Sequence, residues 1–292
     1  KIDYKINEND TGKTVEGFLK ERGYTHQVLV RLKQTDHGIL RNGIWAYTNE
    51  RLCKDDLITV QIVENECSDN IAPVNLPLDI AYEDDDIIVI NKPFDMPAHP
   101  SAGNHDNTLA NALMYYYGSQ NKPFVYRCIN RLDRDTTGLT IVAKHALAGG
   151  ILGNAVAKRA IHRTYYAVCS GCTPACMRIS APIARKDAST IERCVDFKRG
   201  ENAVTDFIRI KYNPDNNLSL VKLRLLTGRT HQIRVHMKYI GFPLIGDFLY
   251  NPDYTYISRQ ALHSGRLVFT HPVTGQKMNL ISDIPSDMKS LF

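Results

Sequence analysis

The residues best suited to chemistry form one loop, Asn130–Leu139, which contains two arginines, two aspartates and two threonines. Apolar runs on both sides predict that the loop connects two strands, where it is held in place and still reaches solvent. Leu132 is predicted to point inward, which places Arg131 and Asp133 together on the open face. A carboxylate beside arginines is a candidate nucleophile or base, and a structural ion pair in a turn is the alternative.

Two further segments carry side chains of similar kinds. The run Leu225–His236 predicts a strand, a Thr-Gly turn and a helix, with Arg229 at the start of that helix. The strand predicted over His162–Cys169 contains Tyr165 and Tyr166, which the alternation of a strand places on opposite faces. One tyrosine would face a site and the other a core, and alternation alone does not choose between them.

The loop resembles the signature of the RluA-type pseudouridine synthases, which is written His-Arg-Leu-Asp followed after a few residues by Thr-Ser-Gly. The matching residues are Arg131, Leu132, Asp133, Thr136 and Gly138. The loop departs from the pattern at Asn130, which replaces a titratable His, and at Thr137, which replaces Ser. Further matches before and after the loop extend the resemblance over residues 79–287. Three ordered motifs are far more specific than one short pattern.

The resemblance implies an RNA isomerase that breaks the N1–C1′ bond of a uridine and rejoins the base through C5. Such an enzyme must take its base out of the RNA stack. Asp133 falls on the family's catalytic aspartate, Tyr165 on its active-site tyrosine, and Arg229 on the arginine that pairs with the aspartate. Arg131 is expected to fill the gap that the flipped base leaves. Addition of Asp133 to C1′ and abstraction of the 2′ proton both remain open.

Isomerisation needs no second substrate, and no nucleotide-binding motif is present, so we expect no cofactor. The run Cys169, Cys172 and Cys176 has the spacing of a metal site, to which Cys194 or His162 would have to add a fourth ligand. No second cysteine pair completes a ribbon, so we predict no metal. Seven cysteines without a framework favour the cytoplasm.

The chain of 292 residues carries a formal net charge of +5, which is compatible with an anionic partner such as RNA. No apolar run is long enough to span a membrane, and we expect a monomer. The segment Ser68–Pro77 is rich in Asn and Pro and is predicted to be a hinge-like linker. It separates residues 1–67 from a catalytic domain over 78–292.

Residues 1–67 are predicted to form two helices, a hairpin and a strand, and they resemble the α-L RNA-binding motif. The basic residues on the matching stretch are Arg22, Arg31, Lys33 and Arg41. We predict an α+β fold for the catalytic domain, with a central, mostly antiparallel mixed sheet, flanking helices and a basic cleft. Large-subunit ribosomal RNA is the expected substrate. Transfer RNA, an inactive ribosome-assembly factor and an aspartate-nucleophile hydrolase are the alternatives.

Overall fold

The computed structural model describes residues 1–186 and 191–292. The N-terminal residues form a four-stranded antiparallel sheet with strand order β1-β4-β2-β3 and two helices. The strands are β1 Ile2–Lys5, β2 Ile39–Arg41, β3 Ile44–Trp45 and β4 Leu57–Val60, and the helices are α1 Val15–Glu21 and α2 His26–Gln34. A 3₁₀ turn, Glu8–Asp10, lies between β1 and α1. We call residues 1–67 the N-terminal module.

Both helices of the N-terminal module begin at a threonine. The Thr14 side chain accepts a hydrogen bond from the backbone of Gly17, and the Thr25 side chain accepts one from Val28, which satisfies amides that have no partner within the helix. The apolar residues spaced by three and four along each helix are buried, as their periodicity predicts. These residues are Val15, Phe18, Leu19, Val28, Leu29 and Leu32.

The catalytic domain contains a ten-stranded sheet whose main path runs β10-β13-β14-β9-β15-β8-β6-β5, with β16 on β15 and β7 on β8. Its strands are β5 Ile80–Glu83, β6 Ile87–Lys92, β7 Arg127–Cys128, β8 Thr137–Ala143, β9 His162–Ser170, β10 Cys176–Ser180, β13 Val204–Asn213, β14 Leu218–Leu225, β15 Leu262–Thr270 and β16 Lys277–Ile281. Among these described strands only β8 and β15 pair in parallel. The mostly antiparallel mixed sheet is therefore confirmed.

The remaining elements lie around the large sheet. They are α3 Leu109–Gly118, α4 Ala146–Ala157, α5 Gln232–Tyr239, α6 Ser286–Lys289, and a separate hairpin of β11 Ile183–Arg185 and β12 Arg193–Val195. Residues 187–190, between β11 and β12, lie outside the described residues. In the part of the chain that is described, no helix is long and apolar enough to cross a membrane.

The segment 68–77, predicted to be a linker, is attached to the catalytic domain. The backbone of Tyr126 donates a hydrogen bond to the Ser68 hydroxyl (3.1 Å), and the Asn111 amide donates to the carbonyl of Ala72 (2.7 Å). Ile71 and Leu76 pack against the core around α3. The prediction that few linker residues pack is wrong. The few apolar side chains of this segment pack on the core around α3, a contact that the composition of the segment does not indicate.

Helix α4 is shared by two hydrophobic cores. Leu147 is buried in the core of the N-terminal module, whereas Leu152 is buried against the large sheet. Gly23, which follows α1 with φ of +89°, approaches the side chain of Ile151 so closely that a β-carbon could not fit there. The N-terminal module is thus packed on the catalytic domain, and the hinge predicted from the linker is not seen.

Replacing each of these two leucines by alanine in turn should show which core each one stabilises. Leu147→Ala should lower the free energy of unfolding by about 2–5 kcal/mol and speed amide exchange across α1 and α2. The matched control on the same helix, Leu152→Ala, should speed exchange in β6 and β8 instead. Hydrogen exchange read by mass spectrometry measures both variants. Identical exchange maps would show that α4 does not divide its contacts in this way.

Candidate active site

Asp133 lies in a groove with a volume of about 910 Å³ that crosses the catalytic domain. The described groove lining contains six arginines and one carboxylate, that of Asp133. The arginines are Arg131, Arg159, Arg163, Arg224, Arg229 and Arg234. A concave surface with this charge imbalance attracts a polyanion, so the predicted basic cleft is present.

The first residue of the loop, Asn130, anchors it to strand β8. Its side-chain oxygen accepts a hydrogen bond from the backbone of Ile141 (2.8 Å), and its amide donates to the carbonyl of Leu139 (3.2 Å). The hydroxyl of Thr140 donates to the Asn130 carbonyl (2.7 Å). Asn130 is almost fully buried, so in this chain the residue in place of the family's His positions backbone.

The end of the loop is fixed by the parallel pairing of β8 with β15. Gly138 has φ of +105°, and a β-carbon there would collide with the backbone of Ser264. The Thr137 hydroxyl lies 2.9 Å from Nδ1 of His263, and the Gln260 amide donates to the Thr136 hydroxyl. These contacts explain why a small residue and two hydroxyls follow the aspartate.

A buried lysine fixes the centre of the loop. The ammonium of Lys92 donates to the carbonyls of Pro93 (2.7 Å), Met96 (2.8 Å) and Arg134 (2.9 Å). The last of these bonds ties the end of β6 to the residue after Asp133. Burial lowers the pKa of Lys92 to about 7, against the opposing effect of nearby carboxylates, first Asp135 and then Asp133.

Asp133 is held by Arg234, not by Arg229. Nη1 of Arg234 donates to Oδ2 of Asp133 (2.9 Å), and the same guanidinium binds Asp247 through Nε (2.7 Å) and Nη2 (2.8 Å). Arg234 and Asp247 are both buried. The two carboxylates raise the pKa of Arg234 further, against the effect of burial. Among the described residues, none donates a hydrogen bond to Oδ1 of Asp133.

The predicted pairing of Arg229 with Asp133 is therefore wrong. The Arg229 guanidinium forms an ion pair with Glu201 and donates to the carbonyl of Asn202 (3.2 Å), at the rim of the groove. The turn 227–229 points this side chain outward, whereas the first turn of α5 directs Arg234 inward. A signal for Arg234 was present in the sequence: an arginine between Ile233 and Val235 is buried with them only if it is paired.

Tyr165 lies in the wall of the groove, and Tyr166 lies on the opposite face of β9. Tyr165 packs against Leu132 in the core beneath the loop, and burial raises the pKa of its hydroxyl. Arg131 lies exposed on the other side of Leu132, and within the described ranges no carboxylate forms an ion pair with it. The loop alternation predicted from the sequence is present.

The chain is similar to several known RNA pseudouridine synthases. Residues 86–239 match the family model described as RNA pseudouridylate synthase. An uncharacterized RNA pseudouridine synthase of Bacillus subtilis, YjbO, is 38% identical, over 96% of this chain and 98% of that protein. Ribosomal large subunit pseudouridine synthase D of Escherichia coli O6:H1 is 36% identical, over 98% of this chain and 92% of that protein.

The chain belongs to the RNA pseudouridylate synthase family. A solved structure of human RNA Pseudouridylate Synthase Domain Containing 1 has a TM-score of 0.60 and 26% identity, and covers 71% of this chain and 83% of that chain. The match supports the same fold for the catalytic domain.

The four basic residues on the stretch of the synthase's N-terminal module that resembles the RNA-binding motif all face carboxylates. Arg22 pairs with Asp10 (3.0 Å), and Arg31 with Glu64 (3.2 Å). Lys33 lies 3.5 Å from Glu16, and Arg41 pairs with Asp56 (2.7 Å). The charges of these four cations are thus offset locally by acidic neighbours. A phosphate would have to compete with these carboxylates.

One acidic cluster outside the groove has the composition of a cation site, namely Asp84, Asp86 and His271. Nδ1 of His271 accepts hydrogen bonds from the backbones of Val273 and Thr274, so the ring proton is on Nε2, which donates to Asp84 (2.9 Å). A nitrogen that carries a proton does not ligate a metal. We assign the cluster to hydrogen bonding between β5, β6 and the turn after β15.

Replacing Arg234 and Arg229 by methionine, one at a time, should distinguish the buried ion pairs of Arg234 from the exposed ion pair of Arg229. Arg234→Met leaves the buried Asp247 without its cation and should lower the free energy of unfolding by about 3–5 kcal/mol. Arg229→Met removes an exposed ion pair and should cost at most about 1 kcal/mol. Urea denaturation of both variants measures the difference. Equal losses would refute the assignment of Arg234 as the buried partner.

The lysine at the loop predicts a pH dependence of stability. Its pKa in the folded protein, about 7, lies below the ordinary value of 10.5. Between pH 7 and pH 10.5 the unfolded chain binds more protons at Lys92 than the folded chain does. The contribution of Lys92 to the free energy of unfolding therefore increases as pH rises through this window and is lost as pH falls to 7. Relative to Lys92→Met, the wild type should gain up to about 1.4 kcal/mol per pH unit in this window. Urea denaturation at several pH values tests this, and a constant difference would contradict it.

Proposed function

We propose that this synthase isomerises uridine to pseudouridine in large-subunit ribosomal RNA. The observation that carries the proposal is Asp133, held at Oδ2 by the buried Arg234 in a groove lined by arginines. The groove accepts the RNA backbone, and the carboxylate meets a nucleotide taken out of the stack. The relatives named synthase D support the choice of ribosomal RNA.

Asp133 acts on the ribose of the flipped uridine through Oδ1. Oδ2 accepts a hydrogen bond from Arg234, which orients the carboxylate. Oδ1 is the oxygen free to add to C1′ or to remove the 2′ proton, and either route breaks the N1–C1′ bond. The released uracil rotates and C5 joins C1′, as the C1′ bond to Asp133 breaks on the first route or the 2′ proton returns on the second. C5 loses a proton and N1 gains one, so the product is an isomer and no cofactor is consumed.

Tyr165 binds the flipped base, and Arg131 fills the gap that the base leaves in the RNA stack. The ring of Tyr165, in the groove wall beside Leu132, stacks on the detached uracil and keeps it near the ribose. Arg131 is exposed at the groove and presents a flat guanidinium, which enters the RNA stack in place of the flipped base. Arg229, paired with Glu201 at the rim, is assigned to RNA contact instead of catalysis.

One chain supplies the whole groove, so the enzyme is proposed to act as a monomer in the cytoplasm. The N-terminal module extends the contact with structured RNA. Of the four basic residues on the stretch that resembles the RNA-binding motif, Lys33 is the most exposed and lies farthest from its nearest carboxylate, so it is the first that a phosphate would recruit.

The substrate is tested with transcribed fragments of large-subunit ribosomal RNA and with transfer RNA, and pseudouridine is located by carbodiimide labelling and primer extension. The wild type should modify defined uridines in ribosomal RNA. Asp133→Asn should abolish product while binding the same RNA, because only the charge and nucleophilicity of one group are lost. Modification of transfer RNA alone would overturn the ribosomal assignment, and activity of Asp133→Asn within tenfold of wild type would overturn the role of Asp133.

The salt dependence of RNA binding tests the two contact regions. Each lost phosphate contact should reduce the log–log slope by about 0.7–0.9. Arg229→Gln, which removes the rim cation assigned to RNA contact, should do so on short and long RNAs alike. Lys33→Gln should do so only on RNA long enough to reach the N-terminal module, and an unchanged slope on long RNA would show that Lys33 does not contact phosphate.

A further inference from the structure

His231 lies beside the catalytic aspartate in an unusual backbone position. Its φ of 56° is in the left-handed region, and the residue immediately precedes α5. The ring is largely buried, with Nε2 3.9 Å from Oδ2 of Asp133 and Nδ1 3.0 Å from the hydroxyl of Tyr250. A histidine with a left-handed backbone conformation is uncommon, so contacts with neighbouring residues must stabilise this conformation.

The hydrogen bonds of Tyr250 decide which ring nitrogen carries the proton. The Tyr250 hydroxyl accepts a hydrogen bond from the backbone of Arg193 in β12 (2.8 Å), and among the described residues Nδ1 of His231 is the one acceptor within reach of its own proton. The proton of a neutral His231 is then on Nε2, facing Asp133. Burial lowers the pKa of His231, and Asp133 and Asp247 oppose that effect while Arg234 and Arg193 add to it.

We propose that His231, oriented by Tyr250, is a second positioning residue for Asp133, on the same oxygen as Arg234. The inference rests on the proposed function of Asp133. Two donors on Oδ2 leave Oδ1 as the single reacting oxygen and prevent the carboxylate from rotating. At 3.9 Å the contact is longer than a hydrogen bond, and a movement of about 1 Å as RNA enters would close it to the usual 2.7–3.2 Å.

Tyr250 connects this contact to the rest of the site. Its ring lies against Arg234, 5.0 Å from the guanidinium carbon, and meets the His231 ring edge to face at 5.7 Å. Its backbone donates to Oδ1 of Asp247 (3.1 Å). Through the bond from Arg193, the β11–β12 hairpin also sets the position of the hydroxyl. Tyr250→Phe keeps the ring contacts and removes only this hydroxyl.

Two substitutions at His231 distinguish a role in positioning Asp133 from a role in terminating the turn before α5. His231→Gln places an amide donor near the position of Nε2, towards Asp133. His231→Asn reaches only the position of Nδ1, towards Tyr250, yet asparagine tolerates left-handed backbone better than glutamine. If His231 positions Asp133, Gln retains more activity than Asn. If its role is only to terminate the turn, Asn is at least as good as Gln.

The measurement is the steady-state rate of pseudouridine formation on the RNA that the wild type modifies. We expect His231→Asn and Tyr250→Phe to lower kcat about 10- to 100-fold with KM within about threefold, as for loss of a hydrogen bond to a charged group. His231→Gln should stay within about fivefold of wild type. Gln no more active than Asn, or wild-type rates in all three variants, overturns the proposal.

A spectroscopic measurement tests the contact without catalysis. In protein labelled with ¹⁵N-histidine, His231 should show the neutral tautomer with its proton on Nε2. Its resonance should shift in Asp133→Asn, and the tautomer preference should weaken in Tyr250→Phe. A proton on Nδ1, or no response to Asp133→Asn, refutes the contact even if the wild type proves inactive on every RNA. That last result would refute the proposed function separately.

Discussion

The site depends on one buried cation shared by two carboxylates. Arg234 gives two hydrogen bonds to Asp247 and one to Asp133, and Asp247 in turn accepts from the backbones of Leu249 and Tyr250. A guanidinium taken out of water is stable only when its donors are satisfied, and here the fold supplies the acceptors before any substrate arrives. The hydrogen bond from Arg234 to Asp133 is thus supplied by the fold before RNA binds.

The loop that carries Asp133 is also held in place, by contacts at both ends and at its centre. Asn130 ties one end to β8, Lys92 ties the centre to the turn after β6, and the parallel register of β8 with β15 fixes the other end. Catalytic groups placed to within a fraction of an ångström need such support, because small displacements cost large factors in rate. The substitution of Asn for His at position 130 is compatible with this role, since an amide offers both a donor and an acceptor to the backbone.

Local pattern predicted the architecture, the candidate aspartate and the helix faces, because alternation and helical spacing are properties of neighbouring residues. Resemblance was needed to choose Tyr165 over Tyr166, and the structure places Tyr165 in the groove. The resemblance implied that Arg229 pairs with Asp133, whereas Arg234 does so in the structure. Both arginines follow the same turn, and the direction of the first turn of α5 separates them. The attachment of residues 68–77 and the pairing of the module's cations depend on contacts between distant residues, which spacing in the sequence does not encode.

Helix α4 gives the enzyme a fixed separation between two surfaces. Because Leu147 belongs to one core and Leu152 to the other, the distance from the N-terminal module to Asp133 is set by packed side chains. A tether would offer its two ends a distribution of distances, whereas this arrangement offers nearly one. With the RNA contact proposed for the module, an RNA would gain from both surfaces only when its own fold presents a uridine at the matching distance from the helix or loop that meets the module.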